Sequence, residues 1–189
     1  MIRIGILGNI GSGKSYVAKN FGYPVFNADY EVSKLYKKDK KTFKKLKKKL
    51  PKYISSFPIN KNEITKAILS NKVNLKKIIT IVHLEIRKIL KLFLKKNKNK
   101  KIVILDIPLF LENRINEKKD ILVYVDSKKE DIEKRLRKRK HYNRKLLNKF
   151  KNIQFKNSYK KKKSHFIIKN NFTKKHVREC IKNILNDIL

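Results

Sequence analysis

Glycine is nearly missing from this chain: there are five in 189 residues, and all five lie within the first 22. Cysteine occurs once, at Cys180, tryptophan not at all, and proline four times. A single cysteine excludes an intrachain disulfide and argues against a Cys/His metal cluster, which fits a reducing compartment. Cys180 falls on the apolar face of a C-terminal helical pattern and is expected to be a core residue rather than a reactive thiol. No uninterrupted apolar run reaches the ~18 residues of a membrane span. The N-terminus enters an apolar strand pattern directly and lacks the shape of a signal peptide, so a cytosolic setting is expected. Acidic residues are few, 15 against 52 lysines and arginines, for a net charge of +37 and a pI near 10.3.

Such a charge ordinarily points to nucleic acid or an anionic surface. The excess here is lysine, with only eight arginines, and it comes with abundant asparagine and isoleucine. Drift toward A/T-rich codons produces that combination along a whole chain. The lysine runs 44–49, 95–101 and 160–163 carry few of the interleaved aromatics that a base-stacking surface needs. They are expected to be solvated helix faces, with neither nucleic acid nor membrane as partner. The competing reading, a basic nucleic-acid-binding protein, predicts steeply salt-dependent retention on DNA without turnover.

At this length the chain is about one domain. Residues 2–7 (IRIGIL), 102–105 (IVIL) and 121–125 (ILVYV) are short continuous apolar runs of the kind that form buried parallel strands. Residues 23–26 and 166–168 are shorter candidates. From about 30 to 98 the pattern is helical, broken around Pro51 and Pro58. Apolar residues at 75, 78, 79, 82, 86, 89, 90 and 93 trace one wide helical face. A basic helix is expected over 128–139, a polar mobile stretch over 140–163, and a terminal helix over 173–188. Strands alternating with helices indicate an α/β fold, a parallel sheet with helices on both faces.

Three of the glycines fall in GNIGSGKS, residues 8–15, between the first strand and a helix. This is the G-x-x-x-x-G-K-[ST] pattern in its required context. Glycine lets the backbone curl so that its N–H groups face an anion, and a helix start adds partial positive charge. Gly8, Gly11, Ser12, Gly13, Lys14, Ser15 and Tyr16 are therefore expected to hold ATP, with Lys14 on the β- and γ-phosphates and Ser15 on Mg²⁺. Ligands in such folds gather at the carboxyl ends of strands, where Asp29, Asp106 and Asp126 lie. A phosphoryl transferase needs one carboxylate near the acceptor hydroxyl and often another near Mg²⁺. Asp126 precedes a helix and reads as its cap. Asp106 is followed two residues later by Pro108, which argues against a helix start there and leaves it as a candidate metal ligand.

The chain resembles the dephospho-CoA kinase family nearly end to end. IGILGNIGSGKS is similar to the family's opening. PVFNADYEVSKLY resembles its Asp-Ala-Asp segment, with Asp29 at the second aspartate. VHLEIRKIL matches the segment that supplies His83 and Arg87. LDIPLFLEN is close to the family's Asp-Ile-Pro-Leu-Leu-Phe-Glu stretch, aligning Asp106, Pro108 and Glu112. EKRLRKRK aligns Arg135 and Arg139, and Gln154 and Asn170 fall on a family glutamine and asparagine. The resemblance implies a P-loop nucleoside-triphosphate-hydrolase-type three-layer fold that transfers the γ-phosphate of ATP to the 3′-hydroxyl of dephospho-CoA, the last step of coenzyme A synthesis. It implies a core of 1–29, 101–137 and 164–189, a helical acceptor-binding insert of about 30–100, and a lid of about 138–163. Asp29 would be the general base and Lys14 the cation on the transferring group. His83, Arg87, Asp106 and Pro108 would face the acceptor, and Arg139 would reach the ATP phosphates. A monomer is expected, with an oligomer left open.

The departures from the family pattern are specific. Asn27 replaces the first aspartate of Asp-Ala-Asp, lowering negative charge beside Asp29. Leu84 replaces a proline after His83, so the helix there should be straighter. Asn9 stands where a second glycine is common, and Lys140 where an aspartate follows Arg139. Lys161 and Lys163 replace arginines, keeping charge but losing bidentate phosphate contact. His141, His165 and His176 lie in polar or basic stretches and carry no assigned role.

Overall fold

A computed structural model describes every residue except Lys140 and His141. The described residues divide into two compact units, one of 1–27, 97–142 and 153–189, the other of 28–96 and 143–152.

The first unit is built on five parallel strands, β1 (Ile2–Gly8), β2 (Val25–Asn27), β3 (Ile102–Asp106), β4 (Ile121–Asp126) and β5 (Phe166–Lys169). Their order across the sheet is β2-β3-β1-β4-β5. Ile4 pairs with Ile104 on one side and Ile121 on the other, and Asn27 pairs with Asp106 at the far edge. The strand pattern explains the layering. Ile4, Ile6, Ile102, Ile104, Val123 and Val125 form one buried face, with Val17 of α1 (Lys14–Asn20), Phe21 just past it, and Val177, Ile181 and Ile184 of α9 (Lys174–Ile188) in the same cluster. The alternate residues face the other way, as the two-residue period of a strand requires. Gly5 is among them: a Cβ there would lie 2.4 Å from the Phe110 ring, so this glycine makes room for a buried aromatic rather than for a ligand. α6 (Lys129–Arg137) and α8 (Asn157–Lys163) complete the unit, α8 packing on β1 and β4.

The second unit is helical: α2 (Ala28–Lys38), α3 (Lys40–Lys49), α4 (Lys61–Ser70), α5 (Lys72–Lys96) and α7 (Arg144–Lys151). Asp39 and Asn60 cap α3 and α4 through their side chains, and Leu75, Ile78, Val82, Ile86 and Leu90 give α5 its buried stripe. α5 runs unbroken through Leu84, as expected where no proline interrupts it. The Lys149 ammonium donates to the Leu69 carbonyl at 3.1 Å, tying α7 to α4.

Two expectations need correction. The polar stretch 140–163, for which no helix is expected, carries two among its described residues, α7 and α8, the first with Asn143 as its side-chain cap. α8 (NSYKKKK) has almost no apolar residues to show a period, and α7, though Leu146, Leu147 and Phe150 share one face, is only eight residues long, so both escape a periodicity reading. Asp126 does not cap α6. Lys128 holds the cap position without a side-chain bond, and Asp126 Oδ2 instead accepts from Lys161 Nζ at 2.7 Å. Lys140 and His141 lie outside the described residues.

Candidate functional site

All five strands are parallel, so their carboxyl ends share one edge of the sheet. There β1 ends at Gly8, β2 at Asn27, β3 at Asp106 and β4 at Asp126.

The loop leaving β1 is held by its own backbone and by distant residues. Ser12 N–H donates to the Asn9 carbonyl at 3.2 Å, and the Gly13 carbonyl receives Tyr16 and Val17 N–H, each at 3.0 Å. The Lys14 ammonium folds over the loop and donates to the Gly8 and Asn9 carbonyls at 3.1 and 2.8 Å. The Ser12 carbonyl accepts from Ser127 Oγ at 2.9 Å and from Asn170 Nδ2 at 2.8 Å. Asn170 is itself 4% exposed, and its Oδ1 accepts from Phe172 N–H. Ser127 and Asn170 therefore fix the loop from beyond β4 and β5. Ser127 carries no signal in the sequence, and Asn170 shows only as a family match.

Gly13 has φ of +90°, and a Cβ there would lie 2.5 Å from Asn170 Nδ2. The loop glycine is thus required by its own conformation and by the asparagine that braces it. Gly22 has φ of +75°, but a Cβ there would meet nothing within 4 Å, so it isolates conformational strain from collision. Gly13→Ala is expected to cost about 2–4 kcal/mol, conformational strain plus displacement of Asn170, whereas Gly22→Ala costs about 1–2 kcal/mol. Thermal melting checks this, at roughly 2–4 °C per kcal/mol for a chain of this length; equal losses would mean that Asn170 does not constrain the loop.

Asp106 is 3% exposed, and its Oδ2 accepts from Asn27 Nδ2 at 2.6 Å. Asn27 thus offers a hydrogen bond where a second carboxylate would repel. After β3 the chain turns tightly, with Leu109 at φ +56°. A bulky residue in the left-handed region costs on the order of 1–2 kcal/mol, offset here by the burial of Phe110 against Gly5. This turn forms a cleft with the loop, lined by Gly8, Lys14, Pro108, Glu112, Gln154 and Lys160. Glu112 Oε1 accepts from the Phe155 backbone N–H at 2.8 Å, holding the segment that carries Gln154. Ser15 and Tyr16 are exposed on the first turn of α1. Arg139 is exposed just past the end of α6, and Arg135 stacks over the Phe172 ring at 4.2 Å.

In the helical unit, Asp29 is exposed in the first turn of α2, where negative charge is favoured by the helix dipole. His83 and Arg87 lie one turn apart on α5. Burial, and then the nearby Arg87 charge, hold the His83 imidazole below its ordinary value of 6.5. As pH falls below about 6.5 the unfolded chain takes up this proton first, so stability declines from there down through the lower folded value. We expect His83→Gln to flatten the acid side of a melting-temperature profile while leaving the melting temperature near pH 8 little changed. An unchanged acid limb would show that His83 titrates normally.

Among the described residues no group of three or more His, Cys, Asp or Glu side chains could hold a metal. A divalent ion would have to draw most of its ligands from a phosphate substrate and water, which is how Mg²⁺ is commonly bound. Ser15 and Asp106 are hard oxygen donors of the right type for it. No described helix is long and apolar enough to cross a membrane.

Residues 2–176 match the family model for dephospho-CoA kinase. A dephospho-CoA kinase of a Wolbachia species from Brugia malayi is 32% identical over 190 residues, spanning 98% of this chain and 97% of its own. The crystal structure of a Thermus thermophilus protein is 25% identical, covers 100% of this chain and 98% of its own, and superposes with a TM-score of 0.78. A dephospho-CoA kinase from Campylobacter jejuni shares the fold at 22% identity and a TM-score of 0.61, over 98% of this chain and 96% of its own. The parallel sheet, the Gly8–Ser15 loop at the end of its first strand and a family match over nearly the whole length converge on one conclusion: this chain belongs to the dephospho-CoA kinase family, the ATP-dependent phosphotransferases.

Proposed function

We propose that this protein transfers the γ-phosphate of Mg²⁺-bound ATP to the 3′-hydroxyl of the dephospho-CoA ribose, completing coenzyme A. The observation that carries the reading is the cleft that joins Gly8 and Lys14 to Pro108 and Glu112. It unites the generic phosphate loop with the DIPLFLE stretch, the more discriminating part of the family pattern. The loop N–H groups and Lys14 hold the β- and γ-phosphates, with Ser12, Tyr16 and Arg139 completing the nucleotide contacts. Asp29 accepts the proton of the attacking hydroxyl. His83 and Arg87, from the helical unit, bind the acceptor's anionic groups, and the segment 138–163 acts as a lid that excludes water. Ser15 and Asp106 would hold Mg²⁺, which would neutralise phosphate charge. The remaining catalysis is positioning, because phosphoryl transfer asks little covalent chemistry of the protein.

The test is a coupled assay of ADP release with Mg-ATP and a panel of hydroxyl acceptors. Dephospho-CoA should be consumed with stoichiometric ADP and CoA, and adenosine or simple sugars should react at least about 10²-fold more slowly in kcat/KM, since remote contacts are used to drive the chemistry. A preferred acceptor other than dephospho-CoA would overturn the reading.

A further inference from the structure

α8 has the sequence NSYKKKK, and its one buried residue is a lysine. Lys160 is 3% exposed, whereas Lys161 is half-buried and Lys162 and Lys163 are exposed. Helices normally dock through apolar side chains, and an ammonium taken from water costs several kcal/mol unless it is compensated. The compensation present is modest. Lys160 Nζ donates to Gln154 Oε1 at 3.3 Å, and Glu112 exerts a favourable but more distant pull. Gln154 takes one of the three N–H donors that a lysine carries. Burial outweighs Glu112, and the ammonium is held below its ordinary pKa. The fold therefore keeps a cation in a place where structure alone favours an apolar residue.

The position supplies a reason. Lys160 lines the same cleft as Gly8 and Lys14, with apolar walls from Ile107, Leu109 and Phe110. Two lysines, one on the phosphate loop and one on α8, thus converge on one small space. Lys14 donates to loop carbonyls there, and Lys160 to an amide oxygen. Cations converging in a low-dielectric cleft are suited to an anion that arrives with its own charge, above all a phosphoryl group. Glu112 takes part indirectly, since its bond to Phe155 N–H fixes the segment bearing Gln154.

We propose that Lys160 is a second catalytic cation, which touches the transferring phosphoryl group in this cleft and neutralises the charge on its oxygens as it passes to the acceptor. Gln154 is the positioning residue that aims the ammonium. The proposal rests on the reading that the Gly8–Ser15 loop holds the nucleotide phosphates.

The test is Lys160→Met, close in length and apolar. It should lower kcat by about 10²-fold, as loss of one transition-state donor does. ADP, which lacks the transferring group, should bind within about threefold of wild type, whereas ATP should bind about tenfold more weakly, the cost of one charge-assisted contact. The melting temperature without ligand should hold or rise, because a buried charge has been removed. Lys160→Arg, which restores the charge, should recover part of kcat. A kcat within threefold of wild type, or ATP and ADP affinities weakened equally, overturns the proposal. Should the methionine chain fail to fold, Lys160→Gln is read against the same thresholds. Wild-type protein that binds Mg-ATP and turns over while Lys160→Met is unaffected sinks this proposal alone; wild-type protein that does not bind Mg-ATP sinks the reading of the loop.

Discussion

Lys14→Ala is expected to lower kcat/KM by on the order of 10³ to 10⁴-fold. Removing one neutral donor from a developing charge costs about 10²–10³ in rate, and a full positive charge on a transferring phosphoryl group is worth about 10³–10⁵. The substitution also acts on the loop itself. The ammonium bonds the Gly8 and Asn9 carbonyls at 3.1 and 2.8 Å, so its loss leaves the curled backbone less firmly held. Nucleotide binding should therefore weaken along with the rate, a combined loss visible by calorimetric titration with ATP and by steady-state kinetics. Ser127 and Asn170 still brace the Ser12 carbonyl in the variant, so the fold should survive with a melting temperature near that of wild type. Turnover within tenfold of wild type would remove Lys14 from the chemistry.

Asp29→Asn is expected to separate the two functions that Lys14→Ala combines. A positioned general base contributes about 10²–10⁴-fold, so kcat should fall by on the order of 10³. Affinity for ATP should change by less than about threefold on the proposed reading, in which the loop holds the nucleotide and Asp29 acts on the acceptor. Stability should drop only slightly. Asp29 is exposed in the first turn of α2, where a carboxylate is worth about 0.3–1 kcal/mol to the helix dipole. Retention of full turnover would mean that another group takes the proton. Asp106 is a poor substitute in geometry, because it is buried and already accepts from Asn27.

Much of the core was legible in advance because its signals are local. A continuous apolar run such as IVIL at 102–105 can only be buried, and it forms the interior strand β3. The apolar period through residues 75–90 places five side chains on one face of α5. The phosphate loop is legible because its residues are contiguous. What escaped was structure in lysine-rich sequence. α8 lacks the alternation of apolar and polar residues that marks a helix at a surface, and its one buried residue is a lysine; α7 carries an apolar face of Leu146, Leu147 and Phe150 and a cap at Asn143, but in only eight residues. Asp126 escaped for a different reason. A strand-end aspartate before a helix has a local use, and only the arrival of Lys161 from 35 residues away shows that it serves another.

Apolar runs, helical periods and the contiguous G-x-x-x-x-G-K-[ST] pattern marked the class of fold and the loop, because they are properties of neighbouring residues; the family showed only through the resemblance of whole segments along the chain. Tertiary structure alone decided which side chains brace and complete that loop. Ser127 and Asn170 reach the Ser12 carbonyl from 115 and 158 residues away. Lys160, indistinguishable by letter from the three lysines that follow it, is the one enclosed in the cleft. The reason is the parallel sheet. It gathers the ends of strands that are distant along the chain, and whether a lysine meets water or a phosphate there depends on what those ends enclose.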